Sequence, residues 1–204
     1  MLVADHLEPF LAIAHEIITA AGGEHFISNK LLNYSIKIFI NMWSNPEARP
    51  KIEAALDSFI YEPALNAIKL TPKDMELWRE NQVEYVRRHE DFRESLFFAR
   101  NSMVDFIILA TRPIKKKQEA SRLEKYLKFC YDKLVSSSTD ILTREAVLLI
   151  IGHLSEQVGK IPAFFNGLGP VIRDFVIPGL RSENGFLRCR STWVLQKYEN
   201  FKWN

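Results

Sequence analysis

The sequence predicts an all-α protein assembled from stacked helix pairs, and three observations carry that reading. No segment of the 204 residues sustains a two-residue apolar alternation, so no strand is expected. Apolar residues recur instead at steps of three and four along most of the chain. Finally, "FARNSMVDFIILA", "LTREAVLLIIGHL" and "FLRCRSTWVLQKY" superpose with Arg100, Arg144 and Arg188 in register, 44 residues apart. The same four helical positions after each arginine hold Met103, Phe106, Ile107, Ala110, then Val147, Ile150, Ile151, Leu154, then Ser191, Val194, Leu195, Tyr198. Eleven of these twelve are apolar and the twelfth is a small serine, so one buried face repeats together with its arginine.

The elements follow in order. Leu7, Phe10, Leu11, Ala14, Ile17, Ile18 and Ala21 form one helical stripe, which Gly22-Gly23 ends. Ser28 is placed to cap a second helix with the stripe Leu32, Ile36, Phe39 and Trp43. "SNPEARP" breaks the chain, and Pro50 suits the first turn of a third helix carrying Ile52, Leu56, Phe59 and Ile60. Pro63 is expected to kink or interrupt that helix, because it removes a donor and clashes with the preceding turn. Thr71-Pro72 starts a turn or a new helix, and residues 71–92 read as a charged connecting segment anchored by Trp78 and Tyr85, between helix pairs over 1–70 and 93–204. Later stripes run through Leu96 to Ala110, Leu123 to Leu134, Ala146 to Val158, and Leu168 to Leu180. Asp140 is an N-cap candidate after "SSS", and "SENG" turns the chain into the last helix.

The totals narrow the function classes. Charge is nearly balanced, 27 basic against 25 acidic residues, without the dense cationic excess of a nucleic-acid-binding surface. No apolar run approaches the ~20 residues that cross a bilayer, and the first residues lack a signal peptide's basic lead. Cys130 and Cys189, far apart within apolar helical patterns, read as buried, reduced thiols. His6, His15, His25, His89 and His153 have no partners at metal-ligand spacing, and "GLG" at 167–169 lacks a P-loop lysine. Ser137 and Ser138 have no nearby base. No catalytic residue, metal site or cofactor is expected. The chain reads as cytoplasmic, nuclear or both.

A helix-pair unit of about 40–47 residues is the period of HEAT and armadillo repeats. The last unit matches the HEAT pattern further, with Pro178 near the end of its first helix, Leu180 behind it, and Leu187-Arg188 opening its second. It departs from the pattern at the turn, where Ser182-Glu183 lacks the usual aspartate. A HEAT-repeat α-solenoid is therefore expected, its core running the length of the stack. Both ends are apolar, with Tyr198, Phe201 and Trp203 closing the sequence, which reads as a slice of a longer solenoid able to self-associate in solution.

Met75-Glu76-Leu77-Trp78 followed by Val83-Glu84-Tyr85-Val86-Arg87 resembles the acidic-Leu-Trp … Glu-Tyr-Ile-Arg motif of importin-β superfamily transport receptors. "KFCYDKL", "REAVLLIIGHLSE" and "GFLRCRSTWVLQKY" resemble the importin-7/importin-8 branch in order and spacing, over roughly residues 68–200. The resemblance implies a shuttling import receptor whose HEAT array wraps protein cargo, including basic ribosomal proteins and histones. It further implies release by Ran-GTP, and FG nucleoporins bound between helices on the outside at the nuclear pore. The family's main Ran-binding surface lies in N-terminal repeats that nothing here matches. A HEAT scaffold of phosphatase or coat-complex type, without Ran dependence, is the other reading.

Leu77, Trp78, Glu84, Tyr85, Arg87, Arg100, Arg144, Arg188 and Trp193 carry the motif and repeat resemblance and are read as structural. The arginines are expected to reach acids or carbonyls of a neighbouring repeat. Trp78 and Tyr85 read as pins, with a peptide-binding pair as the other reading; Asp74, Glu76, Glu80 and Glu84 read as a solvated face or a surface for a basic partner. Lys115, Lys116 and Lys117 read as an inter-helix loop, or else as a localisation signal or a phosphate contact. Second helices line the concave side of a HEAT stack, and their positions off the buried stripe, Asp105, His153, Glu156, Gln196 and Lys197, are the candidate cargo contacts.

Overall fold

A computed structural model of the chain describes residues 6–23, 26–90, 97–112, 119–136 and 138–199, and every regular element among them is a helix. The chain divides into two compact units, Met1–Ala110 and Thr111–Asn204. Both are built of antiparallel helix hairpins with solenoid-like packing, as in a HEAT-repeat α-solenoid. The boundaries expected near residues 70 and 92 fall inside the first unit.

The first unit contains α1 (Leu7–Thr19), α2 (Asn29–Met42), α3 (Ala48–Phe59), α4 (Glu62–Ile68), α5 (Pro72–Glu80), α6 (Gln82–Glu90) and α7 (Ala99–Thr111). Ser28 caps α2, its hydroxyl accepting from Leu31 N–H at 3.2 Å. Pro63 does interrupt the third helix: α3 stops at Phe59, and α4 restarts with the proline in its first turn, where the missing N–H costs nothing. The core centres on aromatic rings. Phe59 stacks on Phe39 at 5.0 Å and on Phe106 at 5.6 Å, and Trp43 meets Phe106 edge-on at 5.6 Å. The stripe expected on α1 is too wide, because Leu7, Leu11, Ala14 and Ile18 are buried while Phe10 is 58% exposed. Residues 71–90, expected to connect, form two nine-residue helices, and Thr71 with Asp74 makes a reciprocal capping box on α5.

The second unit contains α8 (Glu119–Val135), α9 (Ile141–His153), α10 (Ser155–Gly159), α11 (Pro162–Val171), α12 (Ile177–Gly179) and α13 (Gly185–Lys197). A π-helical turn, Ile172–Val176, joins α11 to α12. Pro170 and Pro178 bracket this turn, and each withholds an N–H from the α-helical ladder, which favours a wider local register. Asp140 caps α9, its carboxylate accepting from Thr143 N–H at 2.9 Å and from the Thr143 hydroxyl at 2.7 Å. Asp140→Ala is expected to cost about 1 kcal/mol in urea denaturation; an unchanged midpoint would show that the cap contributes nothing.

Of the twelve repeat-face positions, all but the partly exposed Leu195 are buried. The exceptional serine has a steric reason: a Cβ placed on Gly179 would lie 2.2 Å from Ser191 Oγ, so the backbone of α12 backs directly onto this position. Cys130 is buried, and desolvation pushes its thiol pKa up. Cys189 is exposed, contrary to expectation, because α13 turns Phe186, Leu187, Ser191 and Val194 inward. Among the described residues no helix is long and apolar enough to cross a membrane. Lys115, Lys116, Lys117, His25, Leu96, Ser137, Phe201 and Trp203 lie outside the described residues.

Candidate functional site

In the second unit α9 packs against α13. Glu145, whose side chain is 1% exposed, accepts a 2.8 Å hydrogen bond from Arg190 Nε, and the guanidinium lies over the Trp193 ring at 4.8 Å. Trp193 also carries Lys197 Nζ at 5.2 Å and the His153 ring at 4.9 Å. The indole rests on bare backbone, since a Cβ on Gly152 would lie 2.1 Å from Trp193 Cζ3. Further along, the buried Tyr198 hydroxyl donates to Ile151 O at 2.7 Å, and burial raises its pKa. A carboxylate is thus held under the surface while cations and an indole stand above it.

The expected surface residues fall into two places. His153, Glu156, Gln196 and Lys197 are exposed in the second unit, and Trp193 brings His153 and Lys197 together. Asp105 belongs to the first unit, where partial burial raises its carboxyl pKa and Lys37 on α2 opposes the rise. It ends a polar column between α2 and α7. Asn29 accepts from Ala99 N–H at 3.0 Å and donates to Phe97 O at 2.9 Å, and the Ser102 hydroxyl donates to Asn33 at 2.6 Å. The spacing of Asn29, Asn33 and Lys37 every four residues is the signal that could have found it.

The three repeated arginines act differently. Arg100 is buried and donates to Ile68 O at 2.8 Å, satisfying a carbonyl at the end of α4. Arg188 donates to Ser182 O and Glu183 O at 2.6 and 3.0 Å, closing its own turn instead of reaching another repeat. Arg144 is partly buried, and its Nε has no hydrogen-bond partner among the described residues. Glu145 and Arg190, not the repeated arginines, supply a tie between successive second helices.

In the motif of residues 75–87, Trp78 meets Tyr85 edge-on at 5.0 Å, pinning α5 to α6. The buried Tyr85 stacks on His89 at 4.0 Å, and His89 lies parallel to Phe98 at 6.1 Å. Leu77 is partly exposed. Glu84 receives both Arg87 and Arg88 at 2.8 Å, and those hydrogen bonds hold its pKa down to about 2.

A gap of about 270 Å³ lies beside α1 and α3, lined by Leu11, Phe39 and Ile52 with Ala12 and Ala55. Polar ties cross from α1 to α3 two turns apart, the Glu8–Lys51 ion pair and His15 Nε2 at 2.6 Å from Ser58 Oγ. No group of three or more His, Cys, Asp or Glu that could hold a metal exists among the described residues.

No family model and no solved structure matches the chain. Among curated proteins it is 32% identical over 132 residues to importin-8 of Mus musculus, covering 65% of this chain and 13% of that protein. Importin-8 of Homo sapiens matches equally over 132 residues, 12% of its length. The importin beta-like SAD2 homolog of Arabidopsis thaliana is 22% identical over 181 residues, 86% of this chain and 17% of the relative. The chain therefore spans only about an eighth to a sixth of the relatives' lengths. The similarity is distant and partial, and the level it supports is the importin-β superfamily.

Proposed function

We propose that this chain is a segment of a nuclear import receptor of the importin-7/importin-8 type, working by protein binding within a longer HEAT array. The observation that carries the proposal is the similarity to importins of mammals and a plant, joined to a helix-hairpin fold with paired second helices. In this reading residues 71–92 connect helix pairs over 1–70 and 93–204, and the receptor shuttles between cytoplasm and nucleus. Cargo lies against the second helices, and Ran-GTP releases it through the whole protein.

The gap beside α1 and α3 would take a phenylalanine of an FG nucleoporin. Its wall is apolar, its size suits one aromatic side chain, and its rim is polar. Ala55→Phe fills the gap from an only partly buried position. It is expected to weaken binding of an FG-repeat peptide to the chain at least fivefold with the circular dichroism unchanged. Equal affinity would remove the gap from the proposal.

The receptor reading is tested on the native protein. An antibody to this chain should detect a species several times larger than 23.7 kDa, which should bind Ran-GTP in preference to Ran-GDP. A native species of 23.7 kDa without Ran binding would favour a HEAT scaffold instead.

A further inference from the structure

We propose that the α9–α13 face of the second unit docks an acidic protein segment, whose carboxylates meet Lys197 while its apolar residues lie against Trp193. The charge arrangement points this way. Glu145 spends its charge below the surface on Arg190, and the groups recorded against the indole are Arg190, Lys197 and His153, none of them an acid. Lys197 is exposed and has no carboxylate partner among the described residues. Its ammonium is held at the ring by the cation–π contact and can accept a carboxylate without being reorganised. Gln196 beside it is exposed and offers amide donors.

The patch is also rigid. Trp193 is seated on Gly152, and Arg190 is fixed by an ion pair below and the ring beside it. Little side-chain entropy remains to be lost there, and ordered tryptophan and arginine are the residues that concentrate binding energy at interfaces. This inference goes beyond the transport reading, because the cargo class implied by the resemblance is basic. It holds or fails whether or not the full-length protein responds to Ran.

The test is fluorescence anisotropy with the full 204-residue chain and a labelled peptide alternating Glu/Asp with Leu and Phe. The comparison probes are a peptide with Lys in place of each acid, and a single-stranded RNA. The chain is expected to prefer the acidic peptide at least tenfold over the basic one. Lys197→Glu and the milder Lys197→Met should each weaken that binding, by at least tenfold and about threefold, with circular dichroism unchanged. Arg188→Glu, whose side chain serves the turn before α13, should leave it within twofold. Preference for the basic peptide, indifference to both Lys197 variants, or RNA binding lost through the same variants would overturn the proposal.

Discussion

Arg190→Met is expected to lower the stability of the chain by about 3–5 kcal/mol, the cost of stripping a buried carboxylate of its guanidinium. Glu145 is 1% exposed and Arg190 12% exposed, so water cannot replace the lost partner without opening the α9–α13 contact. The same substitution removes the cation over Trp193. The asymmetry of buried ion pairs supplies the control. Glu145→Leu with Arg190→Met removes the desolvation cost together with the attraction, so the double variant should recover at least half of the single variant's loss. Urea denaturation followed by circular dichroism measures both. A loss below about 1 kcal/mol for the single variant would mean that the pair is not a structural tie.

Phe106→Ala is expected to cost about 3–5 kcal/mol, this time in the first unit. Its ring lies against Phe39 on α2, Trp43 at the end of α2 and Phe59 on α3, so the cavity has no single neighbour that could fill it. Phe10→Ala is the matched control. That ring is 58% exposed, and its removal should change the midpoint by no more than about 0.5 kcal/mol. If both variants unfold at the wild-type denaturant concentration, the aromatic cluster does not organise the first unit.

The fold was legible because periodicity reports which face of a helix is buried. The 44-residue register from Arg100 to Arg188 located that face correctly at all but one of its twelve positions. Periodicity does not report what the face meets. Phe10 continues the apolar stripe of α1 yet faces solvent, and α5 and α6 are helices whose charge masked their period. The polar ties were harder still. Glu145 and Arg190 look like surface charges in sequence, because each is ordinary alone and the two pair across 45 residues. Surface positions were partly legible. His153 and Lys197 share Trp193, whereas Asp105 sits in the other unit beside the α2 column.

The seating of Trp193 on Gly152 couples two positions 41 residues apart through one steric contact. Any side chain at residue 152 must evict the indole, while a small residue at 193 opens a void that glycine cannot close. Neither position can drift alone. Exchange of helix pairs between relatives would therefore succeed only where the glycine and the tryptophan move as one.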